Sequence, residues 1–153
     1  MTSSILGLTA IIVYLAGWVL HQSQLRHDPQ FKPLKLQATA AVAIVMHATA
    51  TADLIFVGDS LDLSLLKILA LLALVINTLV WISGLKKPLY SLYLFLFPIS
   101  AVSLLGALIS HGSVLTPIMS FKLQAHVLIS LLAYSLLAIA ALQALLAGYQ
   151  DWQ

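Results

Sequence analysis

Two histidines carry the clearest chemistry in this chain. His47 lies in the apolar run Ala41-Val-Ala-Ile-Val-Met-His-Ala48, and His126 opens a second run over residues 125–146. An imidazole in a membrane-length segment is costly to insert, so it has a partner or a task. His126, Ser130 and Tyr134 recur four residues apart, which puts them on one helix face. Ala40, Ala43, His47, Ala50 and Thr51 also share a face, and its small residues allow close helix approach. One imidazole among alanines and threonines can meet a flat ligand or a neighbouring helix. The plain alternative is a histidine bonded to a Ser, Thr or carbonyl on the next helix.

Asp53 and Lys67 are the charged residues deepest in apolar segments. They flank the short turn Val57-Gly58-Asp59-Ser60 at similar depth, which predicts a structural ion pair between the second and third segments. The alternative is Lys67 reaching along its own stem to the surface. Asn77 reads as an interhelical hydrogen-bonding residue. Pro98 removes one helix hydrogen bond and should bend the fourth segment. The aromatic cluster Tyr90, Tyr93, Phe95 and Phe97 reads as packing or interface anchoring. No nucleophile–base–orienter set is present, so an enzyme acting alone is not expected. No carboxylate cluster suits a divalent metal.

The elements that carry these residues read as apolar helices. Of the 153 residues, 61% are hydrophobic and 8% charged. A soluble domain carries about 25% charged residues, so this composition predicts an integral membrane protein. The net charge of +2 comes without the clustered Lys/Arg that nucleic acid requires. There is no cysteine, which excludes disulfides, thiolate metal sites and thioether haem attachment within this chain. A spanning helix needs ~20 apolar residues. Five segments qualify, at residues 4–20, 36–57, 63–83, 89–110 and 122–147, predicting one all-α polytopic transmembrane helix bundle over residues 1–153. The first segment has no basic lead and no evident cleavage site, and is expected to be a retained span.

Arg26, Lys32 and Lys35 follow the first segment, and Lys86 and Lys87 follow the third. Asp59 and Asp62 follow the second. The positive-inside tendency then places the N-terminus outside and the C-terminus in the cytoplasm. On this reading His47 is near mid-membrane, His126 and the loop residue His111 lie toward the outer side, and His21 and His27 lie toward the cytoplasm. Trp18, Trp81, Tyr149 and Trp152 fall near segment ends, where amphipathic rings favour the interface.

Three stretches together resemble the cytochrome c assembly membrane proteins (CcsA/ResC-type), and among them the HemX/YpjD-like branch. These are Met46-His47-Ala48, the segment Leu61-Asp-Leu-Ser-Leu-Leu-Lys-Ile-Leu-Ala-Leu-Leu72, and His126-Val-Leu-Ile-Ser-Leu-Leu-Ala-Tyr-Ser135, the last being the most specific. The chain is similar to the N-terminal five-helix portion of that family. It lacks the Trp-rich outer loop with which the maturation members present haem. The resemblance implies haem as cofactor, with His47 and His126 as axial-ligand candidates and no other metal, in a bacterial inner (cytoplasmic) membrane. His111 is a further candidate, as a second ligand beside His126. At a rise of ~1.5 Å per residue, His47 and His126 differ in depth by on the order of 10 Å, so two sites are easier than one shared iron.

The function expected is haem binding or handling in cytochrome c biogenesis. The alternative is a non-catalytic membrane scaffold or regulatory partner, and the third is a small transporter subunit. Expected partners are the lipid bilayer, haem, and another membrane subunit or a homo-oligomer, with no nucleic acid.

Overall fold

The computed structural model describes residues 2–27, 33–58, 60–86, 89–110, 115–117 and 120–151. Five long helices dominate it: α1 (Thr2–His27), α2 (Pro33–Ile55), α3 (Leu65–Gly84), α4 (Tyr93–Ile109) and α5 (Phe121–Asp151). A 3₁₀ turn, Tyr90–Leu92, leads into α4. All five helices are long and apolar enough to cross a membrane, over Ser4–Ser23, Leu34–Ile55, Leu65–Gly84, Tyr90–Ile109 and Ala125–Gly148. They coincide with the five segments expected from hydropathy, because uninterrupted apolar runs satisfy their backbone groups internally only as helices.

The helices are not the whole fold. Three short strands, β1 (Phe56–Val57), β2 (Ser60–Asp62) and β3 (Leu115–Pro117), form an antiparallel sheet in the order β1-β2-β3. β1 and β2 make a tight hairpin with Val57 opposite Ser60. Its first turn residue, Gly58, sits at φ 57°, the left-handed conformation that two-residue hairpin turns demand. β3 comes from the connection between α4 and α5 and pairs with β2, Leu61 opposite Thr116. The α2–α3 and α4–α5 connections therefore share one end of the bundle. Hydropathy alone gives no signal for strands this short.

The core lies among α1–α4. α1 packs on α2 and α4, and α3 packs on α4, α2 and α5. Tyr14, Leu36, Ala40, Ala43, Val80, Tyr93, Leu96 and Phe97 form the main buried cluster. Gly17 makes the close approach of α1 possible, since a Cβ there would meet Phe97 at 2.8 Å and Thr39 at 3.0 Å. The aromatic residues Tyr93 and Phe97 pack in this core, with ring centroids 4.9 Å apart. α5 stands apart, resting chiefly on α3 through Ala138, Ile139, Leu142 and Leu146.

Candidate functional site

His47 is fully buried, and so are the residues that share its face of α2: Ala40, Ala43, Ala50 and Thr51. Its Nδ1 shares a hydrogen bond of 3.1 Å with the Tyr14 hydroxyl of α1. The two rings meet edge-on, with centroids 5.7 Å apart. Nε2 is buried without a hydrogen-bond partner, and the Ala70 backbone of α3 lies within reach of the ring. His47 thus ties α2 to α1 within the buried core. Tyr14 was not singled out from the sequence. The signal was there: a phenol in the middle of an apolar run needs a hydrogen-bond partner once buried.

His126 has the opposite setting. Its side chain is exposed, on the side of α5 turned away from the bundle, with Ser130 half-buried and Tyr134 exposed on the same face. His126 and His47 do not share a site. The next residues of α5, Val127, Leu128 and Leu131, line a groove of about 400 Å³ between α2, α3 and α5. Ala48, Thr51 and Ile55 form its α2 wall, and Phe56, Leu61 and Leu63 belong to the strand hairpin and the residue after it. His47 lines neither this groove nor a second, about 570 Å³, that runs between α3 and α4 beside Pro98. Pro98 lies inside α4, as expected. His111 lies outside the described residues.

The expected ion pair between Asp53 and Lys67 is not formed. Lys67 is buried and pairs with Asp62, Nζ to Oδ2 at 2.5 Å. The other Asp62 oxygen accepts the Ser64 backbone N–H at 3.1 Å. Asp53 is exposed. The reason is angular. Asp53 is turned about 120° around α2 from the buried His47 face, whereas Asp62 ends a strand that enters the first turn of α3. Lys67 is thus held in a local clamp at the start of α3 rather than in a bridge between the second and third helices.

Asn77 bridges helices as expected, donating through Nδ2 to Ser100 Oγ on α4 at 2.5 Å and to the Ala73 carbonyl at 2.9 Å. At the end opposite the sheet, Trp18 donates to the Leu94 carbonyl at 2.9 Å and Trp81 to the Gln37 carbonyl at 3.0 Å. These indoles brace neighbouring helices as well as sitting near helix ends. His21 is buried at that end, near the Tyr90 backbone.

Among the described residues no group of three or more His, Cys, Asp or Glu is placed to hold a metal ion. Haem is a different demand: one imidazole and a flat apolar surface. His126 fits it, being an accessible imidazole flanked by exposed Leu123, Leu128 and Ile129. His47 does not fit it in this packing, because its ring is enclosed and borders neither groove. No protein-family model, curated protein or solved structure matches this chain.

Proposed function

We propose that the chain is an integral membrane protein of the cytochrome c assembly type, in a bacterial inner membrane, and that it handles haem at the end where α5 begins. The N-terminus is outside and the C-terminus cytoplasmic in this reading. The stretches after the first and third apolar segments hold Arg26, Lys32, Lys35, Lys86 and Lys87, against Lys67 and Lys122 toward the sheet end, and this basic excess supports that orientation. The observation that carries the haem reading is His126. It is an exposed imidazole on a long apolar helix whose outward face has no protein cover. His126 would hold the iron, and the surrounding leucines would pack on the porphyrin.

The test is a haem titration of detergent-purified protein, read as a Soret difference spectrum, with His126→Ala and His47→Ala alongside. Saturable binding lost in His126→Ala is the expected result. No saturable change in the wild type would sink the reading.

A second reading has its own support. α5 presents His126 and Tyr134 outward, and polar groups at membrane depth call for protein partners. A scaffold or regulatory subunit would use this face to hold another membrane protein. Stoichiometric co-purification of one partner, unchanged by His126→Ala, would favour it over haem handling. A lone monomer by light scattering would count against it.

A further inference from the structure

We propose that the buried centre of the bundle binds a water molecule between His47 and Thr51. This water completes a hydrogen-bonded relay, Tyr14–His47–water–Thr51, that runs from the core to the α2–α3–α5 groove. The site stands apart from the haem reading and needs neither His126 nor a cofactor.

Two orphaned atoms define it. His47 Nε2 and Thr51 Oγ1 are both buried and both lack a protein hydrogen bond. They lie one turn apart on one face of α2, so one small ligand can touch both. Thr51 is singular among the helical threonines whose side chains are described. Thr9, Thr39, Thr49 and Thr78 each return the hydroxyl to the carbonyl four residues back, at 3.0, 2.9, 3.2 and 2.8 Å. That bond is the default for a threonine in an apolar helix. Thr51 forgoes it although no other protein group replaces it.

Water is the ligand this donor set selects. The site offers an imidazole nitrogen and a hydroxyl, with the Ala70 backbone within reach of the ring. That is neutral, with no charge to balance an ion. Internal water makes about three such bonds. The Tyr14 hydroxyl already engages Nδ1, which leaves Nε2 as the ring's one remaining hydrogen-bonding atom. Alanine at 50 and 70 keeps the surroundings small. Thr51 also lines the groove, which gives the water a route in and gives the core a polar link to the sheet end.

A double-mutant cycle tests this in detergent-purified protein. Thr51→Val keeps the shape and removes the hydroxyl. It should lower the unfolding midpoint by roughly 2–4 °C in the wild type and by nothing in His47→Leu. A neutral or stabilising Thr51→Val would overturn the proposal, since Nε2 would then lean on Ala70 alone. An equal loss in both backgrounds would overturn it too, since the hydroxyl would be serving another group. Should His47→Leu fail to fold, water-edited solid-state NMR of ¹⁵N-histidine protein replaces it. Transfer from water to His47 Nε2, lost in Thr51→Val, is expected, and its absence in the wild type overturns the site.

Discussion

The Tyr14 hydroxyl and His47 Nδ1 meet at 3.1 Å between α1 and α2, both residues fully buried. Losing one partner strands the other in an apolar interior. Tyr14→Phe should cost about 1–3 kcal/mol of stability, seen as a lower thermal midpoint in detergent. Equal stability of Tyr14→Phe and wild type would remove His47 from its tying role.

The Asp62–Lys67 clamp makes a sharper contrast. Breaking one partner of a buried pair costs roughly 3–5 kcal/mol, so Asp62→Asn and Lys67→Met should each destabilise strongly. Replacing both together should recover part of the loss. Asp53→Asn, at an exposed position, should change the midpoint little. A large effect at Asp53 with none at Asp62 would reverse this assignment.

The two histidines should separate cleanly. His47→Ala removes a buried ring and is expected to lower stability by about 2–5 kcal/mol, in line with other large-to-small core changes. His126→Ala should leave the midpoint unchanged and abolish saturable haem binding. The paired readings are thermal unfolding and the Soret titration. Destabilisation by His126→Ala would mean that its side chain is packed.

The open face of α5 can be mapped directly because the chain has no cysteine. Tyr134→Cys should react rapidly with a maleimide in the purified protein, and Ser135→Cys slowly, since Tyr134 is 64% exposed and Ser135 is fully buried. Comparable rates would show that α5 is not seated on α3 as described. Protection of Tyr134→Cys in native membranes, but not after purification, would reveal a partner on this face.

Much of the architecture is legible in the residues themselves. Five apolar runs of spanning length leave the backbone no alternative to helices, and Ala40, Ala43, His47, Ala50 and Thr51 mark the buried face of α2 by spacing alone. Asn77 announces an interhelical bond because an amide in that setting needs one. Tertiary structure decided the pairings. Which acid Lys67 meets depends on a strand that turns Asp62 inward and on the rotation of Asp53 away from α3, and no local pattern records either. The partner of His47 lies 33 positions away on α1, and a buried phenol and a buried imidazole carry no label for each other. The contrast between an enclosed His47 and an exposed His126 arises the same way. Both stand in similar apolar runs, but α2 is surrounded by helices while α5 rests chiefly on one, and packing between segments is not written within either of them.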